Sequence, residues 1–277
     1  TDAIVIGTWP YLHKPITLAA LEAGKHVMCE ARMAMNAEEA RVMLEASRRH
    51  PDRIAQVVPS PFTLEIDRTV KRLLAEGFLG ELLAIDIRSS DGAFFNPDAP
   101  LHWRQDMDLS GLNIMSLGIW YEVLLRWIGE ATSVTARGKI AAPRRIDTET
   151  GVPKEVRIPE HLVVVAEMTG GAMATMTLSS LTGGVPVNEI LLFGTEGTLR
   201  FDGDRLSGGQ KSDDAFVPIE IPPHEAGAWR VEEEFIAAIR GEEPISHTTF
   251  EDGLKYMAFT EAVTQSMAEE KTMGLSL

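Results

Sequence analysis

The stretch that most constrains this chain is its opening, TDAIVIGTWPYLHKPITLAALEAGKHVMCEARMAMN. Ala3 to Gly7 is a short apolar run rich in β-branched residues, which suits a strand buried on both faces. His26 to Glu30 (HVMCE) reads as its neighbour. Between them Ile16 to Ala23 carries apolar residues at helical spacing, Pro15 sits where a first turn tolerates it, and Gly24 follows as a C-terminal cap. The result is a βαβ unit with parallel strands, whose two following segments, Thr8 to Lys14 and Cys29 to Met33, must emerge side by side. In open α/β sheets that carboxyl edge is where ligands bind. The spacing therefore proposes a site built from Thr8, Trp9, Pro10 and His13 on one loop and Glu30, Ala31 and Arg32 on the other. Two readings of His13 stand: a loop histidine satisfied by backbone, or a site residue.

Alternation of α and β continues. Asn36 with Glu39 makes a capping pattern before a helix to about His50, and Ile54 to Val58 is another buried-type strand. Leu64 to Glu76 is an amphipathic helix, Glu81 to Arg88 a longer strand, and SSDGAFFNPDAPLHWRQDMDLS an irregular loop rich in aromatics. Loops of that length are usually functional or disordered. Gly111 to Gly129 reads as one long apolar helix with Asn113, Ser116, Trp120 and Trp127 on a single stripe. From Thr132 the pattern is mostly strand, with a hairpin at Gly170-Gly171 and a Gly-rich turn near Ser207 to Gln210. Two terminal helices follow, about 228–240 and 250–270. The fold class is thus α/β plus α+β. A partial Rossmann-type parallel sheet over 1–58 precedes a second domain, 59–277, with a large open mixed or antiparallel sheet. The terminal helix is expected to pack back on the first domain. The chain opens on Thr1 and enters a buried-type strand almost at once, as the middle of a domain would.

At 277 residues and 44% hydrophobic the chain can bury a sizeable core. A net charge of −15 argues against a phosphate-backbone binder. No apolar run reaches the ~18 residues of a membrane span. The single cysteine, Cys29, excludes an internal disulfide framework and a cysteine zinc site, and it reads as a packed core thiol in a cytoplasmic protein. No metal site is expected: the seven histidines are dispersed and form no HExxH. The sequence contains neither G-x-S-x-G nor G-x-G-x-x-G.

The string DAIVIGTWPYLHKPITLAALEAGKHVMCEARMAM resembles the Gfo/Idh/MocA oxidoreductases, the glucose-fructose oxidoreductase and inositol dehydrogenase group, which show D-x-V-x-I-x-T-P-x-x-x-H followed by G-K-H-V-x-x-E-K-P. The resemblance continues through KRLLAEGFLGELLAIDIR, HWRQDMDLSGLNIMSLGIWYEVLLRWIGE, ILLFGTEGTLRFDG and FIAAIRGEEPISHTTFEDGLKYMAFTEAVTQSM. It implies a Rossmann domain, here without the first βαβαβ portion that carries the glycine fingerprint, and a C-terminal α+β domain. It further implies a nicotinamide cofactor, NAD or NADP, and a small sugar, cyclitol or related hydroxy or keto substrate. A homo-oligomer formed through the second-domain sheet is also expected. The departures matter. The family's catalytic Lys falls on Ala31, and its Asp and His fall on Ser116 and Trp120. Arg32 stays protonated and anchors an anion rather than acting as a base. The proton carrier would then come from His13, His102, Tyr121 or Glu30. The resemblance places Thr8, Trp9, Pro10, His13, Glu30, Ala31, Arg32, Trp103 and Arg104 at the cofactor, and Asn113, Ser116, Trp120 and Tyr121 at the substrate. Trp120 either supplies an apolar wall to the pocket or simply packs against the sheet. A non-catalytic ligand-binding or regulatory member of the same fold is the alternative.

Overall fold

The computed structural model describes residues 1–275. Three strands, β1 (Ala3–Ile6), β2 (His26–Cys29) and β3 (Ala55–Val57), pair in parallel in that order. Helix α1 (His13–Glu22) connects the first two strands and α2 (Ala37–Arg49) the next. The first helix starts three residues earlier than its apolar spacing suggests, because a 3-10 turn at Pro10–Leu12 runs directly into it. Pro15 still falls in the first turn, where no backbone donor is needed. Gly24, at φ 70°, ends it. Asn36 caps α2 by accepting the Glu39 N–H at 2.9 Å, while the Glu39 carboxylate accepts from Met35 N–H at 3.3 Å.

Helix α3 (Asp67–Ala75) follows a turn in which the Thr63 hydroxyl donates to Asp67 at 2.8 Å, so it begins later than Leu64. Strand β4 (Leu82–Ser90) leads to the long loop, which holds a 3-10 turn at Trp103–Gln105 and a short helix α4 (Met107–Ser110). The long helix expected from Gly111 is shorter: α5 spans Leu117–Trp127. Residues 111–116 are tied instead to the segment after β2. Leu112 N–H donates to the Met35 carbonyl at 2.8 Å, and the Asn113 amide donates to the Ala34 and Ser110 carbonyls at 2.9 and 2.7 Å. Gly111 (φ 67°) and Met115 (φ 42°) are both left-handed, which is incompatible with a continuous helix.

The remaining strands are β5 (Ala131–Lys139), a hairpin of β6 (Arg144–Ile146) and β7 (Pro153–Glu155), β8 (His161–Met168), β9 (Met173–Ser179), β10 (Val187–Gly194), β11 (Gly197–Phe201), β12 (Leu206–Gln210) and β13 (Val217–Pro218). Helices α6 (Val231–Arg240) and α7 (Phe250–Glu269) and the short β14 (Met273–Gly274) complete the described chain. Ser207 to Gln210, expected as a turn, lies within β12. Its glycines permit close packing there: a Cβ on Gly208 would come within 3.0 Å of Leu199 and Ile219.

Nine strands form one mixed sheet in the order β13-β12-β11-β10-β4-β9-β8-β5-β14, antiparallel except for the β4–β9 pair. Alternation along β8 buries Leu162, Val164 and Ala166 on the inner face and leaves Val163 and Val165 on the outer one. Helices α5 and α7 pack on one another beside that core, with the Tyr121 and Phe259 rings stacked at 3.7 Å. Helix α7 also lies on the first unit. A Cβ on Gly253 would meet Met33 and Val57, and Ala37 N–H donates to Glu261 at 2.9 Å. No helix among the described residues is long and apolar enough to cross a membrane.

Candidate functional site

The two loops at the carboxyl edge of the small sheet meet through His13. Its ring is 1% exposed, with Nε2 2.9 Å from the Thr8 carbonyl and Nδ1 3.1 and 3.2 Å from the Arg32 and Met33 carbonyls. Whichever nitrogen carries the proton donates to a carbonyl of one loop or the other. The ring is therefore occupied in holding the loops together, which corrects its expected place among the proton carriers. Pro10 is buried behind it, while Thr8, Trp9 and Glu30 are exposed at the edge and Ala31 is half-buried.

The second loop is also gripped from α7: Met33 N–H donates to the fully buried Tyr256 hydroxyl at 2.6 Å. Sequence reasoning missed Tyr256, since it lies on an apolar helix more than two hundred positions from its partner. Burial pushes its phenol well above the ordinary value, so the hydroxyl is a fixed hydrogen-bonding post rather than an acid.

Across from these loops, the long loop contributes Trp103 and Arg104. The Trp103 ring stacks on Trp9 with centroids 6.3 Å apart, and the Arg104 guanidinium lies 4.2 Å over the Trp103 ring. This contact joins the small sheet's edge to the mouth of the large sheet. The residues flanking Trp103, His102 and Arg104, line a cleft of about 520 Å³ together with Met115 and Glu160, among others. It shares Asp91, Met115 and Ser180 with a smaller hollow of about 210 Å³ that holds Ser89, Ser116 and Asn188. Ser89 Oγ is 3.3 Å from Ser116 Oγ and donates to Asn188 Oδ1 at 2.8 Å. Ser89 and Asn188 had no recognisable signal in sequence, because they face each other from β4 and β10, 99 positions apart.

The loop that forms the cleft rim is anchored by a buried ion pair. Arg145 holds the Asn96 and Ala99 carbonyls and pairs with Glu160, which also accepts from Gln105 and from the Ala141 and Ala142 amides. Burial pushes the Glu160 carboxyl up, but Arg145 and the two amides outweigh it and hold the group below the ordinary value. On the rim, His102 Nδ1 accepts from Arg104 N–H at 3.2 Å. Burial and the Arg104 charge both lower its pKa, so the ring is neutral at neutral pH with the proton on Nε2.

Three expected substrate contacts are corrected. Trp120 is 0% exposed, its ring packed against Phe62 with centroids 4.9 Å apart. Tyr121 is 2% exposed, and its hydroxyl accepts from Ala131 N–H at 2.8 Å, which removes it as a proton carrier. Asn113 is 0% exposed and serves the backbone ties described above. Trp120 and Tyr121 are core residues because α5 packs against the rest of the core through them, and Asn113, ahead of the helix, is buried by its ties to Ala34 and Ser110. Ser116, one residue before the helix, does reach the hollow. Among the described residues no group of three or more metal-ligating side chains converges.

A small parallel βαβ sheet followed by a large mixed sheet defines a two-part α/β plus α+β fold of the dinucleotide-dependent type. Residues 1–57 match the family described as "Oxidoreductase family, NAD-binding Rossmann fold", and residues 68–200 match "GFO/IDH/MocA C-terminal domain". The chain belongs to the Gfo/Idh/MocA family. It is 26% identical over 212 residues to glucose-fructose oxidoreductase domain-containing protein 2 of Xenopus laevis, covering 76% of this chain and 54% of the relative. It is 29% identical over 207 residues to a D-xylose 1-dehydrogenase (NADP+) of Haloarcula marismortui, covering 73% of this chain and 53% of that one. The chain thus spans about half the length of the curated relatives it matches. Levoglucosan dehydrogenase, solved in complex with NADH and L-sorbose, superposes with a TM-score of 0.87 at 23% identity, covering 99% of this chain and 80% of that one. At that identity the likeness establishes the fold.

Proposed function

We propose that the chain belongs to an NAD(P)-dependent oxidoreductase acting on a sugar, cyclitol or related hydroxy or keto compound. The observation that carries this reading is the Trp9–Trp103 contact, which joins a carboxyl-edge loop of the small parallel sheet to the loop whose His102 and Arg104 line the 520 Å³ cleft. The donor set fits the nicotinamide end of a dinucleotide: exposed Thr8, Trp9 and Glu30 line the edge and leave a flat aromatic surface beside it. Bound there, the cofactor would supply the hydride acceptor or donor. The chain's own residues do the rest. Ser116 and Ser89 offer hydroxyls to a polyol. His102 can give a proton to the oxygen of a carbonyl undergoing reduction from its imidazolium form, which burial and the Arg104 charge disfavour, so reduction through it should speed up as pH falls. We assign 1–58 to cofactor binding and 59–277 to substrate and assembly. A cytoplasmic location is assigned on the single, fully buried Cys29, whose thiol burial pushes far up and makes inert.

Oxidation of NADH and NADPH against a panel of keto-sugars and keto-cyclitols tests the reading. Turnover is expected with at least one substrate class, and His102→Gln is expected to lower it about 10²- to 10⁴-fold with altered pH dependence. No hydride transfer across the panel would count against it. The replacement of all three family proton-transfer positions by Ala31, Ser116 and Trp120 favours a second reading, a binding or regulatory member. Cofactor binding without turnover would support that one.

A further inference from the structure

Buried guanidinium groups in this protein come with carboxylates. Arg126 lies 3.0 Å from Asp67 and 2.7 Å from Glu122, and Arg145 pairs with Glu160. Arg32 is different. It is 6% exposed, and although all three arginines have a buried Nε without a hydrogen-bond partner, Arg32 is the one of them for which no carboxylate among the described residues stands within ion-pair distance. The chain carries 41 acidic residues against 26 basic ones, so a partner was not scarce. Burying a guanidinium without an anion is strongly unfavourable, and such a charge persists where a ligand completes it.

The surroundings hold the side chain in place. Its Cγ and Cδ lie over Gly118, where an added Cβ would come within 3.4 Å of Cδ, and the Tyr256 ring closes on the same glycine. Burial, and after it the Arg104 guanidinium, bring Arg32 down to about 10, a value at which it remains a cation at neutral pH. Arg104 itself stacks on Trp103 at the cleft rim and makes no ion pair among the described residues. Arg32 lies against Gly118, two residues beyond Ser116 of the hollow, and Arg104 lines the cleft that shares Met115 with that hollow, so two unneutralised guanidiniums flank the segment that leads into α5.

We propose that Arg32 and Arg104 together form the receptor for an anionic group, a carboxylate or a phosphate, carried by the substrate. The substrate class is then a sugar acid or sugar phosphate rather than a neutral polyol. This rests on the oxidoreductase reading for the word substrate, but the site itself does not need turnover to be seen. Planar guanidinium forks match both anions through paired N–H donors. Ser89 and Ser116 remain for the hydroxyls of the same ligand.

The test is equilibrium binding of glucose, glucuronate and glucose 6-phosphate to the full chain, read by tryptophan fluorescence, since Trp103 carries Arg104 on its face. Titrations are run with and without NADH. At least one anionic sugar is expected to bind about tenfold or more tightly than glucose, and comparison of the two separates carboxylate from phosphate. Arg104→Gln should remove that preference. Arg32→Met should remove it too, while leaving the melting temperature of the ligand-free protein equal or higher, because an uncompensated buried charge has been replaced by an apolar chain of similar length. Equal affinity for glucose and both anions would overturn the proposal, as would failure of either anion to bind. So would loss of NADH affinity alone in the two variants, which would assign the arginines to the cofactor's phosphates. A large fall in the melting temperature of Arg32→Met would make Arg32 a structural residue instead. If neutral keto-sugars turn over and the anions do not bind, the anion site falls and the oxidoreductase reading stands. If anions bind with no hydride transfer to any substrate, the reverse holds.

Discussion

Tyr256 and Glu160 show how single side chains hold the candidate site from outside it. The Tyr256 hydroxyl is the partner of the Met33 N–H, so Tyr256→Phe leaves a buried backbone donor unsatisfied at about 1–3 kcal/mol. Urea unfolding checks the loss, and the second loop, with Arg32, should become more accessible to amide exchange. Glu160 joins Arg145, Gln105 and two backbone amides, which together anchor the cleft rim. Glu160→Gln should cost about 3 kcal/mol at pH 7, as expected when one member of a buried pair loses its charge. Its folded pKa is depressed, so its contribution is fully present above the ordinary carboxylate value of about 4.3 and is lost as pH falls through the folded value. The stability gap between wild type and Glu160→Gln should therefore close on acidification, as melting temperatures measured from pH 7 downward would show. A constant gap would mean that the charge is irrelevant there.

Among the elements, the segment between α4 and α5 decides the site. Its sequence, GLNIMS, continues an apolar helical pattern, yet it is pulled out of helix by hydrogen bonds to Ala34 and Met35. Gly111 makes this possible: at φ 67° a Cβ would lie 2.2 Å from the Met35 carbonyl oxygen. Gly111→Ala is expected to destabilise by about 2 kcal/mol or more, from the left-handed backbone and that clash together. Chemical denaturation measures the cost, and it should be accompanied by weaker ligand binding in the cleft, because Met115 and Ser116 follow directly. The opening βαβ unit behaves in the opposite way. Its strands, its helix cap at Gly24 and its N-cap at Asn36 all lie where local spacing puts them, since each depends on partners only a few residues away or on simple burial.

For the whole molecule, the large sheet has one face against helices and one outward. The outward face carries Val163 and Val165 on β8, Met173 on β9 and, beyond the intervening β4, Phe193 on β10, with polar neighbours such as Asp86 and Arg200. We propose that a second copy covers this face. Light scattering should show a dimer or larger assembly, and Val165→Glu should shift it towards monomer without lowering the far-UV circular dichroism. Sequence alone determined the class of fold and the carboxyl-edge loops, because strand and helix periodicity and short motifs are local properties. Tertiary structure decided which of the named residues face the cleft. Trp120, Tyr121 and Asn113 turned inward and His13 became a tie between loops, since their contacts reach across the fold. Arg32 could be seen as a basic residue in the second loop from sequence. That it is buried without a carboxylate beside it is a property of the packed fold, because ion pairing depends on which distant segments come within a few ångströms.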